Sequence, residues 1–218
     1  MKPKLLLLPS LLLLISVISI SCDDYVVHKI NKTITDSFSK QDKKITQEFT
    51  SITIDFAKIS IELPKYYFKT NHEELTSIID FIDENTQIQL NSIKEFEKSN
   101  KGFIIFVDSN NVFNQIMIFG AEHTYFDKKT AGQYLYLLER QLENEWIPRN
   151  INYTRLESNY LSNSNVRILK VKYETIINNI TNYTTQYIIT TGKKSFSIVV
   201  NNSTSEDFQK NIAAIKLL

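Results

Sequence analysis

The chain has 218 residues, of which 42% are hydrophobic and 22% are charged, and its 25 Lys+Arg and 24 Asp+Glu give a formal net charge of +1. This composition is typical of one globular domain with additional segments, and it excludes a largely disordered chain and a multi-span membrane protein. The near-zero charge, without a run of basic residues, argues against nucleic-acid binding. A single Cys excludes an intramolecular disulfide.

The first 21 residues have the pattern of a secretory signal peptide. Lys2 and Lys4 give a positive start, and residues 5–20 form an apolar core. That core is shorter than the roughly 20 residues that a transmembrane helix needs. We therefore predict that residues 1–21 are a signal peptide that is cleaved.

The apolar core ends in Ser19-Ile20-Ser21-Cys22, which resembles the lipobox of bacterial lipoproteins, although Ser19 replaces the usual Leu. The resemblance implies that Cys22 becomes the N-terminus and carries acyl chains such as palmitate. Two acyl chains are enough for stable attachment, so the predicted partner of this end is a membrane. The alternative is an ordinary signal peptide that ends near a Cys.

The resemblance further implies a location in the bacterial cell envelope, at the inner membrane, the outer membrane or the cell surface. The Asp23-Asp24 pair is similar to the acidic sorting signals of some lipoproteins, but two acidic residues are equally typical of a solvated tether. A secreted, glycosylated protein is the other alternative, because six Asn-x-Ser/Thr sequons occur. They begin at Asn31, Asn152, Asn179, Asn182, Asn201 and Asn202.

Residues 22–49 are polar and are predicted to form a tether, and residues 50–218 are predicted to form a single domain. Residues 52–64 alternate in polarity with a change of phase, which predicts a pair of strands or one bulged strand. Asn71 is a candidate N-cap for a helix with an acidic first turn. A second helical stretch follows, with a predicted break at Asn85-Thr86.

Next come a predicted hairpin, with strands at 103–107 and 113–119, and a long helix capped by Asp127. The apolar stripe of that helix ends before Pro148. Its members are Ala131, Tyr134, Leu135, Leu138, Leu142 and Trp146.

Four β-like runs then predict an antiparallel meander, and Ser203-x-x-Glu206 predicts a capping box for a last helix that buries Phe208, Ile212 and Ile215. The complete pattern predicts an α+β domain whose antiparallel sheet is covered by helices. The runs are 154–160, 166–175, 184–191 and 195–200.

This order of elements over residues 50–218 is similar to the PsbP-like fold, which also occurs in small bacterial lipoproteins. It shares with that fold a strand closing on Leu63-Pro64, a hairpin, a long helix, a meander and a terminal helix. Members of this kind are mostly binding or assembly factors, so the resemblance implies a function without catalysis.

The sequence carries none of the common catalytic or phosphate-binding motifs, and its four Gly argue against a glycine-rich phosphate loop. We therefore predict neither a cofactor nor a metal. Acylation of Cys22 would also remove the only thiol.

The best candidate for chemistry is the segment Glu122-His123-x-Tyr125-x-Asp127. Alternate residues of an extended segment project to one side, so His123, Tyr125 and Asp127 could supply a base or metal ligands. A strand-to-helix junction with Asp127 as the helix cap explains the same residues.

Two functions follow. The favoured one is a lipid-anchored binding or assembly module of the cell envelope, without catalytic activity, whose partner is an envelope protein or peptide and not a nucleic acid. The alternative is an envelope hydrolase or metal-dependent enzyme that uses His123 and the neighbouring carboxylates.

Overall fold

The computed structural model describes residues 48–78, 84–98, 102–149, 151–163, 165–177 and 180–218. The predicted signal peptide, Cys22, the Asp23-Asp24 pair and residues 25–47 of the predicted tether lie outside these ranges. The sequons at Asn31 and Asn179 also lie outside them. None of the helices within these ranges has the length and apolar character that crossing a membrane requires.

The domain consists of ten described strands and four described helices. The strands are β1 (Phe49–Ile54), β2 (Ile59–Pro64), β3 (Tyr67–Thr70), β4 (Phe103–Asp108), β5 (Asn111–Ala121), β6 (Asn152–Ser162), β7 (Val166–Ile177), β8 (Ile180–Thr191), β9 (Ser195–Asn202) and β10 (Lys216–Leu217). The helices are α1 (His72–Ile78), α2 (Glu84–Glu97), α3 (Lys128–Trp146) and α4 (Gln209–Ala213), with a 3₁₀ turn at Ile147–Arg149.

The strands form two antiparallel sheets. The large sheet has the order β3-β4-β5-β9-β8-β7-β6, and the small sheet has the order β1-β2-β10. The meander is therefore β6 to β9, the hairpin is β4-β5, and the phase change near residue 57 separates two strands. The predicted α+β class, an antiparallel sheet covered by helices, is confirmed.

One face of the large sheet packs against the small sheet and α4. Ile59, Ile61 and Leu63 point inward from β2 because alternate residues of a strand share a face. They meet apolar residues of β4, β5, β8 and β9, together with Phe208 and Ile212 from the C-terminal segment. The last helix therefore buries the face that its spacing predicted.

The opposite face carries two separate helical covers. Helix α3 packs Leu138, Leu142 and Trp146 on β7. Helices α1 and α2 pack Leu75, Leu90 and Ile93 on β4, β5 and β9. The two covers belong to different apolar clusters, because polar residues of β8 and β9 lie between them on this face.

The long helix begins where its sequence predicts. The carboxylate of Asp127 accepts a hydrogen bond of 2.8 Å from the Thr130 backbone N–H, which satisfies one of the free donors of the first turn. The helix ends at Trp146, and Pro148 lies in the 3₁₀ turn that follows.

The predicted capping box at Ser203 and Glu206 is wrong. Ser203 precedes α4 by more than a turn, and its N–H donates instead to the Asn114 side chain at 2.9 Å. Asp207 Oδ1 accepts from the Gln209 N–H at 3.0 Å, so this carboxylate serves the helix start.

Two other boundaries differ from those expected. Helix α2 already begins at Glu84, so Asn85-Thr86 lies in its first turn and is not a break. The short strands β3 and β10 were not predicted, because four and two residues carry too little alternation to be recognised. At the N-terminal side, β1 begins at Phe49, the last residue of the predicted tether.

Candidate binding surface at one end of the sheet

The predicted site residues lie on segment 122–127, which connects β5 to α3 and is exposed except for the buried Phe126. The segment lies beside the turn between β8 and β9, because Ala121 at the end of β5 pairs with Ser195 at the start of β9. Glu122, His123 and Tyr125 are exposed. We call this end of the large sheet the rim.

Tyr125 is the most prominent side chain of the segment. Tyr125 is 58% exposed, and the guanidinium carbon of Arg167 lies 4.3 Å from the centroid of its ring. A cation over an aromatic face stabilises the pair by about 0.5–1 kcal/mol at an exposed site. Arg167 is the second residue of β7, so the Tyr125–Arg167 pair joins two segments that are distant in the chain.

His123 contacts a serine of the neighbouring strand. Its Nδ1 lies 3.5 Å from Ser195 Oγ, at the limit of a hydrogen bond. The same Oγ accepts from the Thr124 N–H at 2.9 Å and lies 3.2 Å from the Thr124 carbonyl and 3.1 Å from Thr190 Oγ1. Ser195 therefore fixes the backbone of segment 122–127 against the β8-β9 turn.

Asp127 is occupied by its capping role. Hydrogen bonds from the Thr130 backbone N–H and hydroxyl hold the pKa of the Asp127 carboxyl below its usual value. Within the residues that the structure describes, no hydrogen bond or ion pair joins His123 to Asp127 or Glu122. The same ranges hold no cluster of three His, Cys, Asp or Glu suited to a metal ion. The segment thus brings His123 and Tyr125 to the surface, but it forms neither a hydrogen-bonded His–carboxylate pair nor a set of metal ligands.

The rim also carries several cations. Lys193 and Lys194 are exposed in the β8-β9 turn, beside Ser195. These two lysines and the three side chains described above form a surface that we call the rim patch. Its members are His123, Tyr125, Arg167, Lys193 and Lys194. Sequence reasoning missed this patch because its members come from three segments that only the folded sheet brings together.

The chain enters the domain at the other end of the large sheet. The Glu48 carbonyl accepts from Lys65 N–H at 2.9 Å, and the neighbouring Tyr66 carbonyl accepts from Ser109 N–H in the turn between β4 and β5. Strand β5 runs from that turn to the rim over 11 residues. At roughly 3.3 Å per residue, about 30 Å separates the two ends.

A second polar cluster lies inside the domain, on the face covered by α4. Lys170 Nζ lies 2.6 Å from a Glu157 oxygen and 2.8 Å from an Asp207 oxygen, and Lys172 Nζ lies 3.4 Å from the same Asp207 oxygen. The Tyr187 hydroxyl donates to the Asp207 carbonyl at 2.8 Å. Every charge of this cluster has a partner, so we interpret it as structural.

Ionisation states follow from these contacts. Burial alone would raise the pKa of the Asp207 carboxyl, but its hydrogen bonds and the charges of Lys170 and Lys172 hold it below its usual value. Burial alone would lower the pKa of Lys170, and its two carboxylate partners raise it instead. Burial raises the pKa of Tyr187 well above its usual range. The cluster is therefore charged on both sides at neutral pH.

A third polar group lies between the two helical covers. Tyr173, Thr184 and Asn201 are neighbours across β7, β8 and β9, and Gln186 lies two residues along β8. Within the described ranges, the buried side-chain polar atoms without a hydrogen bond belong to only four residues of this face. These residues are Trp146, Tyr173, Gln186 and Asn201.

Comparison with known proteins bears on the fold. No protein-family model matches the chain, and no curated protein matches it. Among solved structures, the solution structure of cyanobacterial PsbP (CyanoP) from Synechocystis sp. PCC 6803 superimposes with a TM-score of 0.52 at 8% sequence identity, and the match covers 82% of this chain and 98% of that one. The likeness confirms the predicted PsbP-like fold.

Proposed function

We propose that this protein is a lipid-anchored binding module of the bacterial cell envelope, that it has no catalytic activity, and that it binds its partner through the rim patch. The observation that carries the proposal is the exposed Tyr125 ring, held under Arg167 at the end of the sheet. Tyrosine and arginine are the residue types that most often dominate binding energy at protein interfaces. A preformed pair also loses less conformational freedom on binding than two mobile side chains.

The position of the patch supports the anchor. Cys22 precedes Glu48 in the chain, and Glu48 lies at the end of the sheet opposite the rim. An acylated Cys22 followed by a polar tether would hold the domain at the membrane by the end that carries Glu48. The rim patch would then lie at the end of the domain opposite the attachment point, where proteins of the envelope can reach it.

The geometry around His123 supports a binding function over the alternative of a hydrolase or metal-dependent enzyme. General acid–base catalysis needs a positioned partner that orients the imidazole. Among the described residues, His123 contacts the Ser195 hydroxyl at 3.5 Å, and that hydroxyl is already engaged with Thr124 and Thr190. The Asp127 carboxylate serves the helix start.

The anchor is tested by the intact mass of the protein extracted from membranes, beside Cys22→Ala. We expect the mass of residues 22–218 plus acyl groups, and we expect the variant to lose both the added mass and the membrane attachment. An unmodified mass, or one that carries glycans, would overturn the anchor.

Binding at the rim is tested by photo-crosslinking in intact cells. A benzophenone amino acid is placed at Tyr125 or, as the matched control, at Tyr136 of α3, which is also 58% exposed and has an arginine neighbour in Arg140. We expect a discrete protein adduct from position 125 that position 136 does not give. Identical adduct patterns from the two positions would contradict binding at the rim patch.

A further inference from the structure

The part of the rim near Tyr125 carries more cations than anions, and this excess indicates the charge of the partner that it fits. Five cations lie on the segments that meet at this part of the rim: Arg167 beside Tyr125, Lys128 and Lys129 at the start of α3, and Lys193 and Lys194 in the β8-β9 turn. The acidic residues among them are Glu122 and Asp127, and the Asp127 carboxylate is engaged by Thr130. Positive charge therefore exceeds negative charge on this part of the rim.

The excess stands out against the chain as a whole. The full sequence is nearly balanced, with 25 basic and 24 acidic residues. On the β3 side of the same end, α1 begins with the exposed acidic residues Glu73 and Glu74. The five cations of the rim therefore lie on the side formed by β7, β8, β9 and the start of α3, and Glu73 and Glu74 lie on the side of β3.

Within the described ranges, no ion pair engages the side chain of Lys193 or Lys194. Both are exposed, and the Lys194 carbonyl accepts from Thr191 N–H at 2.8 Å, so the turn that carries them is closed by the backbone. Complementary charge across an interface accelerates association and excludes partners of the same sign. Tyr125 adds an apolar surface of aromatic type among these cations.

We propose that the partner of the rim patch is an acidic protein segment, rich in Asp or Glu, that lies across the β8-β9 turn with an apolar side chain against Tyr125. This inference rests on the proposed function, because it names the chemistry of the partner that the rim patch binds. Carboxylates of the segment would pair with Lys193, Lys194 and the outer edge of the Arg167 guanidinium. An exposed aromatic ring favours a peptide over a purely ionic partner.

The test uses the full chain in a neutral detergent and a fluorescently labelled peptide of ten glutamates with one central Leu. Anisotropy is measured for the wild type, for Lys193→Glu with Lys194→Glu, and for a control, Lys69→Glu with Lys216→Glu, which makes the same change in net charge at exposed sites outside the patch. We expect saturable binding that weakens as salt rises. The patch variant should bind about tenfold or more weakly, and the control should match the wild type.

Other outcomes would overturn the inference. They are the absence of saturable binding, an equal loss in both variants, and equal or tighter binding of a ten-residue oligothymidylate or of phosphatidylglycerol vesicles. A discrete adduct from position 125 in cells, together with no binding of the glutamate peptide, would reject the acidic partner and leave the proposed function standing.

Discussion

The ammonium group of Lys170 lies 2.8 Å from the Asp207 carboxylate, and the Lys170 side chain is only 1% exposed. Lys170 lies in the middle of β7, and Asp207 lies just before α4. The ion pair therefore ties the C-terminal segment to the large sheet. Lys172 and Glu157 complete the cluster from the same face.

This cluster predicts a strong dependence of stability on Asp207. In Asp207→Asn, the buried Lys170 ammonium still pairs with Glu157 but loses the carboxylate of Asp207. Removing one partner of a buried charge is destabilising, because the cost of taking that charge out of water is no longer compensated. We expect the free energy of unfolding to fall by about 2 kcal/mol, measured by urea titration.

The matched control is Lys65→Gln. Lys65 and Glu48 also form an ion pair at 2.6 Å, but their side chains are 59% and 61% exposed. Exposed pairs contribute little because water and salt screen them. We expect no measurable change in the urea midpoint, and equal effects of the two substitutions would refute the structural role of the cluster.

The pKa of Asp207 predicts how this effect depends on pH. The pKa is lower in the folded state than the usual value near 3.8. The stability it supplies is therefore present above about pH 4 and is lost as the pH falls through the lower folded value. We expect the difference in unfolding free energy between the wild type and Asp207→Asn to shrink below about pH 4.

Lys170 makes stability depend on pH in the opposite direction, at alkaline pH. The folded-state pKa of Lys170 is raised, so its contribution is complete below the unfolded value near 10.5 and is lost as the pH rises through the folded value. The stability of the wild type should therefore decline at both acidic and alkaline pH.

The acid prediction has a clear contrary outcome. A difference in unfolding free energy between the wild type and Asp207→Asn that stays constant from pH 3 to pH 7 would contradict the assignment to Asp207.

Periodicity predicted most of the fold because burial is regular along the longer elements. The stripe of α3 and the alternation of β2 each place apolar residues at fixed intervals on one face. The start of α4 was misread because Ser203-x-x-Glu206 matches a capping box locally. In the folded chain Asn114, distant in sequence, engages Ser203 instead.

The sequence places the candidate residues on one segment, but it does not show which distant residues lie beside that segment in the folded chain. The neighbours Arg167 and Lys193 of segment 122–127 could not be predicted, because strand order decides which turns meet at one end of the sheet. The sequons illustrate the same limit. Asn201 and Asn202 are buried, and Asn202 bonds with Tyr67 and Glu206, so the folded domain has no room for a glycan at either.

The unpaired amide of Gln186 predicts a stabilising substitution. Gln186 is 1% exposed, and neither its Nε2 nor its Oε1 has a hydrogen bond. A buried polar group without a partner costs about 1–3 kcal/mol, and an apolar group of the same shape avoids that cost. We expect Gln186→Met to leave the thermal midpoint unchanged or to raise it by a few degrees.

Gln115 provides the control for Gln186. It is 4% exposed on the same face, but its Nε2 donates to the Val112 carbonyl at 2.9 Å. Gln115→Met should therefore lower the unfolding free energy by about 1 kcal/mol. A loss of stability in Gln186→Met as large as that in Gln115→Met would mean that the Gln186 amide has a partner in solution.

Two glycines predict opposite effects of one methyl group. Gly102, which precedes β4, has a φ of +90°, and a Cβ there would overlap the ring of Phe56. Gly132 lies within α3, and a Cβ there would have no atom within 4 Å. We expect Gly102→Ala to lower the unfolding free energy by about 2 kcal/mol or more, because strain and a clash add. We expect Gly132→Ala to raise it by about 0.5–1 kcal/mol, because alanine favours the helix. Chemical denaturation of both variants measures the contrast, and a tolerated Gly102→Ala would show that the chain before β4 does not approach Phe56 as closely as described.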